Sequence, residues 1–220
     1  MLFERLLVHD DGRQAGAALN MAIDEALFEN ATVPTLRFYG WRTPALSFGY
    51  FGKFADVATE SERRDVVRRW TGGGIVPHGE DLTYSLVTPA VDPASALGPT
   101  AIYAALHGAI RDALQEEGNE AELAADASPK ISEACFANPV RDDVMLSGRK
   151  IAGAAQRRTR RGFLHQGSIQ IPNLPESFRA GLASRIAKQI GWAEIPTAID
   201  ERAAQLVAEK YGTTEWLHRC

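Results

Sequence analysis

Three adjacent glycines, Gly72, Gly73 and Gly74, follow a short strand-like run at residues 66–70 that carries two arginines, Arg68 and Arg69. Backbone without side chains lets a ligand approach closely and exposes successive N–H groups. The two arginines supply cationic forks for a phosphate or a carboxylate. Ile75 and His78 lie just beyond the glycines. The segment is neither a P-loop nor a Rossmann fingerprint, because the Gly-Lys-Ser/Thr ending and the Rossmann glycine spacing are both missing. The alternative is a glycine-rich surface turn with solvated arginines. Arg68, Arg69 and His78 together favour a ligand loop.

Around that loop the sequence alternates helix-length and strand-length segments. In residues 16–30, Leu19, Ile23, Ala26 and Leu27 recur at three- and four-residue spacing, with Asp24 and Glu25 on the polar side, which predicts a helix. Two strand-like runs follow at 35–41 and 45–51, joined by the turn Arg42-Thr43-Pro44. Leu82, Tyr84 and Leu86 alternate through a strand at 82–88. A second helix is predicted over 100–117, with Gly118 as its stop. Residues 120–139 have weak periodicity and read as a long loop containing Cys135. Residues 144–146 and 150–158 flank Ser147-Gly148, a tight hairpin turn, and another strand covers 163–171. Two helices are expected in the tail. Leu174, Phe178, Leu182, Ile186 and Ile190 form the stripe of one, ended by Gly191. Thr197 with Asp200 resembles a capping box opening the other, which ends near Gly212. The pattern predicts one domain, a mostly antiparallel or mixed sheet with helices packed on it.

Composition bounds the class. The chain has 220 residues, 45% of them hydrophobic and 24% charged, which suits one globular domain and argues against disorder. Its apolar runs fall short of a membrane span, and acids sit where a signal peptide needs an apolar core. Two cysteines, Cys135 and Cys220, make no disulfide framework, so a cytoplasmic setting is expected. The net charge of −4 argues against non-specific nucleic-acid binding. Residues 141–161 nevertheless carry seven bases and two acids, a local +5 that leaves −9 on the remainder. Such a patch points to one anionic ligand or one acidic partner, against the alternative of a solvated hairpin edge. A monomer is the default expectation.

Other residues suit chemistry on their own terms. Lys150 lies in an otherwise small, apolar strand. Pointing inward it would need an anionic partner, and Gly153, Ala154 and Ala155 would leave room beside it for a ligand. From this segment alone an exposed hairpin lysine is the better reading. Cys135 is a nucleophile only as thiolate, which a nearby lysine favours; composition alone leaves it an inert loop cysteine. His165 shares a strand face with Phe163 and Ile169 and reads as a hydrogen-bonded core histidine, while His9, His107 and His218 suggest nothing. Phe38, Tyr39, Trp41, Phe48, Tyr50 and Phe51 can line a pocket, with core packing the default. No spacing resembles a zinc site or a serine-hydrolase elbow.

Taken in order, these segments resemble the biotin/lipoate protein ligase superfamily, in its lipoate–protein ligase A and octanoyltransferase branch. The resemblance is carried by Asn20-Met21-Ala22-Ile23-Asp24-Glu25-Ala26, Arg37-Phe38-Tyr39-Gly40-Trp41, Arg68–Gly74 with His78, and Leu82-Thr83-Tyr84-Ser85. Its most specific parts are Gly148-Arg149-Lys150-Ile151-Ala152-Gly153-Ala154-Ala155-Gln156-Arg157 and Leu164-His165-Gln166-Gly167-Ser168. It implies an α/β (α+β) fold of the class II aminoacyl-tRNA synthetase and biotin–lipoate ligase type. It also implies a single catalytic domain over residues 1–220, with no C-terminal accessory domain. The implied substrate is an octanoyl or lipoyl group destined for a lysine of a lipoyl domain, such as that of the glycine cleavage H protein or a 2-oxoacid dehydrogenase.

The resemblance implies a site of Arg68, Arg69, Gly72, Gly73, Gly74, Ile75, His78, Asp143, Gly153, Ala154, His165 and Gly167 around the acyl group or its adenylate. Lys150 matches the lysine that contacts the acyl carbonyl. Ala134-Cys135-Phe136-Ala137-Asn138-Pro139 looks like the cysteine loop of one octanoyltransferase branch, which makes Cys135 the nucleophile toward a thioester on acyl carrier protein, with no cofactor. Arg141-Asp142-Asp143-Val144 resembles the Arg-Asn-Asp-Leu string of ATP-dependent ligases, with Asp142 in place of Asn. It keeps open a lipoate–protein ligase that uses ATP and Mg. A non-catalytic acyl-binding homologue is a third reading. Gly79 stands after His78 where relatives often have Asp, which leaves open what holds His78.

Overall fold

The computed structural model describes residues 1–126 and 139–219. Among these residues eleven strands and five α-helices follow in chain order. They are β1 (Phe3–Ala15), α1 (Ala17–Asn30), β2 (Thr35–Trp41), β3 (Ala45–Phe48), β4 (Asp65–Arg68), β5 (Val76–His78), β6 (Leu82–Pro89), α2 (Pro99–Glu116), β7 (Ala121–Leu123), β8 (Val144–Leu146), β9 (Arg149–Thr159), β10 (Gly162–Ile169), α3 (Glu176–Ile186), β11 (Ala187–Trp192), α4 (Thr197–Leu206) and α5 (Thr214–Leu217). Eight strands form one mixed sheet in the order β11-β1-β2-β6-β10-β9-β8-β7; β4-β3-β5 form a small second sheet. Only the pairs of β1 with β11 and with β2 are parallel in the large sheet. This is the mixed, largely antiparallel α/β fold the motifs imply.

Period-two alternation builds two cores from one sheet. Leu6, Val8, Leu36, Phe38, Leu86 and Phe163 point to one face, where α2 and α3 cover them with Ile102, Leu106, Ile110, Phe178 and Leu182. Tyr39, Trp41, Val87 and Leu164 point to the other face, under Met21, Ile23 and Leu27 of α1 and Leu206 of α4. That second face also carries Arg37, Thr83, Ser85, Gln166 and Ser168, all buried. Buried polar side chains need partners, and here they build the site.

Several expectations change. Asp24 and Glu25, expected on the polar side of the first helix, are buried, and Ala121–Leu123 of the expected long loop pair with β8 as β7. The stripe through Ile186 and Ile190 continues in sequence, but the helix stops at Ile186 and Ala187–Trp192 runs as a strand. The chain pairs there with the open edge of β1, registering Phe3 with Ala187 and Val8 with Trp192. A strand edge supplies backbone partners that override a helical period. Thr197 does not cap α4; Pro196 is the N-cap residue and Thr197 the first helical one. The run expected at 45–51 ends at Phe48, where Gly49 presses against the backbone of Gly72 and Gly73, so a Cβ at this position would collide with the Gly73 carbonyl. Ser147 and Gly148, with φ of 50° and 74°, make the expected tight turn.

Candidate functional site

The glycine loop is held from behind. Arg69 Nη2 donates to the carbonyls of Gly72 (3.0 Å) and Gly74 (2.8 Å), while Nη1 donates to Ser47 Oγ (2.7 Å). Ser47 Oγ lies 2.6 Å from His78 Nε2, and His78 Nδ1 lies 2.8 Å from Asp81 Oδ2. Asp81 also accepts from Thr83 Oγ1 (2.9 Å), Ser168 Oγ (2.6 Å) and the Gly79 N–H (2.9 Å). Burial pushes His78 below the usual histidine value, against the opposing pull of Asp81. Burial pushes the Asp81 carboxyl up, but hydrogen bonds from His78 and Ser168 prevail and hold it below the usual range. Asp81, three residues after His78, supplies the carboxylate that Gly79 cannot.

Arg68 takes a different course. Its guanidinium donates to the carbonyls of Tyr50, Gly52, Trp216, Leu217 and Arg219, and lies 4.6 Å over the Phe48 ring. It ties the C-terminal turn to β4 and does not line the pocket. Of the two adjacent arginines, Arg69 alone faces the ligand side.

A narrow pocket of about 40 Å³ lies between the loop and the sheet. Arg69, Gly73, Val76 and His78 form one wall, with Ser47 beside them; Gly153, Ala154 and Ala155 of β9 and Gln166–Ser168 of β10 form another. Met21, Tyr39, Trp41 and Thr83 complete the enclosure. Trp41 stacks on His78 with centroids 4.0 Å apart and donates Nε1 to Thr83 Oγ1 at 2.8 Å. Gln166 bridges the walls: its Oε1 accepts from Thr71 Oγ1 (2.8 Å) and its Nε2 donates to Asp24 Oδ2 (2.7 Å). Of the residues expected at the site, Arg69, Gly73, His78, Gly153, Ala154 and Gly167 line this pocket. Gly72 and Gly74 form the loop, and Ile75 packs with Leu46, Phe48 and Val57.

Lys150 points inward and has its anion. Nζ lies 2.8 Å from Asp143 Oδ2, both side chains being almost fully buried. Asp143 also accepts from the Val140 N–H (2.6 Å) and from the Tyr103 hydroxyl of α2. The end of the lysine side chain occupies the space where a Cβ on Gly153 would be, so a side chain there would displace the ammonium. A register shift between Val144 and Met145 marks a bulge at this point in the β8–β9 ladder. The reading of Lys150 as an exposed hairpin residue is overturned.

Asp142 has φ of 68°, a conformation that Asn and Asp tolerate better than other side chains. Its carbonyl lies 2.7 Å from His107 Nδ1. His107, which the sequence passes over, is thus buried beside the Asp142–Asp143 turn. His165 Nδ1 lies 3.0 Å from Gln156 Nε2 and its Nε2 lies 3.3 Å from the Tyr84 hydroxyl, so it belongs to the core behind the pocket. Burial lowers His107 to about 4 and His165 to about 3, so both are neutral near pH 7. Tyr103 is pushed well above the usual phenol value by burial and the Asp143 charge.

Sequence reading missed Ser47, Asp81, Tyr103 and Gln166 as site residues. Asp81 carried a readable signal, an acid three residues after a histidine; Tyr103, in the middle of a helix, carried none. Cys135 lies outside the described residues. Among the described residues no group of three or more His, Cys, Asp and Glu side chains is placed to hold a metal ion, and no helix is long and apolar enough to cross a membrane.

Comparison with known proteins bears on this arrangement. The family described as the lipoyl protein ligase A/B catalytic domain matches residues 16–211. The octanoyltransferase LipM of Carboxydothermus hydrogenoformans is 30% identical, with 92% of this chain and 94% of that protein covered. That of Anoxybacillus flavithermus is 36% identical over 72% of this chain and 63% of its own length. The chain therefore spans less than two thirds of the length of some curated relatives it matches. Two solved structures share the fold at lower identity. Protein Ta0514 from T. acidophilum with bound lipoic acid has a TM-score of 0.76 at 20% identity, covering both chains fully. A lipoate-protein ligase A bound with ATP has a TM-score of 0.75 at 20% identity, with 99% of each chain covered.

Proposed function

The chain belongs to the lipoyl protein ligase A/B catalytic domain family, and we propose that it is an octanoyltransferase of protein lipoylation, moving an octanoyl or lipoyl group onto the acceptor lysine of a lipoyl domain. The observation that carries this is the buried Lys150 ammonium, held by Asp143 against Gly153 beside a narrow, mostly apolar pocket. An apolar, partly open slot suits an acyl chain in kind, and a fixed cation beside it serves a developing oxyanion or thiolate.

The reaction has two steps. The Cys135 thiolate attacks the carbonyl of an octanoyl thioester on acyl carrier protein. The carrier thiol leaves with the electron pair and takes a proton, and Lys150 stabilises the negative charge on sulfur and oxygen. The neutral amine of the acceptor lysine then attacks the acyl–cysteine carbonyl. The C–S bond breaks, the amide forms, the amine proton is lost, and the Cys135 thiolate is restored. The donor thioester already holds the activation energy, so this reading needs neither ATP nor metal. Arg69 and its carbonyl partners hold the glycine loop in place; Gly153 and Ala154 border the reacting carbonyl. The setting is cytoplasmic, and the acceptor is a lipoyl-domain protein such as the glycine cleavage H protein or a 2-oxoacid dehydrogenase. A related fold occurs in a bi-partite lipoate protein ligase studied with its E2 lipoyl domain. The Asp142–Asp143 turn beside Lys150 favours the second reading, an ATP- and Mg-dependent ligase acting through lipoyl-adenylate.

Intact mass after mixing the protein with octanoyl-acyl carrier protein, without ATP, separates these. The transferase predicts an octanoyl adduct that hydroxylamine removes and that Cys135→Ala abolishes. Lipoyl-domain modification appearing only with ATP and free lipoate would overturn it in favour of the ligase. Acyl binding with no transfer under either condition would leave the non-catalytic homologue.

A further inference from the structure

Beside the glycine loop, cations and aromatic rings alternate. The Arg219 guanidinium lies 4.7 Å from the Tyr50 ring, and Arg157 lies 4.8 Å from the same ring and 5.0 Å from Trp70. Lys210 lies 4.8 Å from Trp70. Lys210 is neutralised by Glu25 at 2.5 Å. Arg157 and Arg219 have no carboxylate and donate no side-chain hydrogen bond among the described residues. Two like charges share one ring, an arrangement that a bound anion relieves. Stacking leaves the edges of both guanidinium groups open for forked hydrogen bonds.

The position of this pair suggests its ligand. Tyr50 is tied to the glycine loop by its N–H to the Thr71 carbonyl, 2.8 Å. Arg157 follows Gly153 and Ala155, which line the pocket, on the same face of β9. Four strand steps separate Arg157 from Gly153, about 13 Å, within the span of an extended pantetheine arm. A carrier-borne thioester ends, away from its sulfur, in a phosphodiester. The acceptor lysine is a methylene chain with no anion. A phosphate seat at this distance engages the donor and ignores the acceptor. We propose that Arg157 and Arg219, stacked on Tyr50, form a phosphate seat for the pantetheine arm of a carrier-bound acyl donor. The inference rests on the thioester reading above, and its test separates the two.

Two donors are compared, octanoyl-acyl carrier protein and octanoyl-N-acetylcysteamine, which has the thioester but no phosphate. In Arg157→Ala, the KM for the carrier-borne donor rises about tenfold and its salt dependence flattens; the KM for the short donor stays at the wild-type value. Arg157→Lys, which keeps the charge but loses the fork and the stack, recovers only part of the loss. An equal rise for both donors, no change for either, or a rise confined to the lipoyl-domain acceptor overturns the seat. Should the wild type use neither donor, the thioester reading falls. Titration with phosphopantetheine alone then decides the seat, which stands if binding is lost in Arg157→Ala and falls if wild type and variant behave alike.

Discussion

Two buried carboxylates, Asp24 and Asp143, each face a buried cation, and they differ in what surrounds the pair. Asp24 accepts four hydrogen bonds, from Arg37 Nη1 and Ser85 on one oxygen and from Tyr39 and Gln166 on the other. Arg37 is fully buried and spends its remaining donors on Asp11 and Asn20. This knot is closed, joining α1, β2, β6 and β10. Asp143 instead meets Lys150 beside a strand that lacks a Cβ at Gly153, next to the pocket. An arginine fork locked on every side fixes geometry. A compact ammonium presents three rotatable donors to whatever shares its site. The same pairing of charges can serve scaffold or chemistry, and the neighbouring side chains decide which.

Substitution tests that contrast, and the largest effect is expected at the closed knot. Asp24→Ala leaves Arg37 with a buried, partly unpaired charge and is expected to cost about 3–5 kcal/mol in urea denaturation. The damage should reach the pocket too, because Gln166 loses the carboxylate that aims it at Thr71. Full stability in this variant would mean that the knot is not closed.

Acid provides a second probe. His107 and His165 are held neutral by burial, at about 4 and about 3 against an ordinary value of 6.5. A base whose folded value is depressed takes up protons first in the unfolded chain, so its contribution is intact above pH 6.5 and is lost as pH falls. By pH 4.5 each histidine removes roughly 2–3 kcal/mol. Urea midpoints at pH 7.5 and pH 4.5 check this, and equal stability at the two would show that neither imidazole is buried neutral. Because His107 lies against the carbonyl of Asp142, the Asp142–Asp143 turn should loosen with the core.

Lys150→Arg has the smallest expected effect on stability and sharpens the comparison most. The charge opposite Asp143 is kept, while a planar guanidinium replaces the ammonium against Gly153. Octanoyl transfer is expected to fall about a hundredfold, equivalent to about 2.7 kcal/mol of barrier, with stability lowered by the overpacking of a larger group by about 1–3 kcal/mol, less than for Asp24→Ala. Wild-type transfer by this variant would demote Lys150 to a structural partner of Asp143.

Much of the fold was legible in the sequence, for identifiable reasons. The hairpin at Ser147-Gly148, the strands around 35–41 and 82–88, and the helices near 16–30 and 100–117 follow from local period and turn chemistry. The site was legible where several special residue types sit together, as in Arg69 with the glycine loop, or Lys150 with Gly153. It was illegible where a residue's meaning comes from another part of the chain. Arg68 and Arg69 are adjacent in sequence, yet one clamps the C-terminal turn and the other holds the glycine loop. Tyr103 has no neighbour in sequence to announce that its hydroxyl meets Asp143.

The sequence by itself determined most of the element types, the glycine-rich break after β4, the family resemblance, and the need for an anion opposite any inward-facing Lys150. These depend on local backbone preference and on the high cost of burying an unpaired charge. Tertiary structure alone decided that the anion is Asp143, that Asp81 steadies His78, that residues 187–192 leave their helical period to pair with β1, and that Gln166 couples Asp24 to the loop. Each of those outcomes joins groups distant along the chain, and which groups meet is set by how the strands pair and the helices pack.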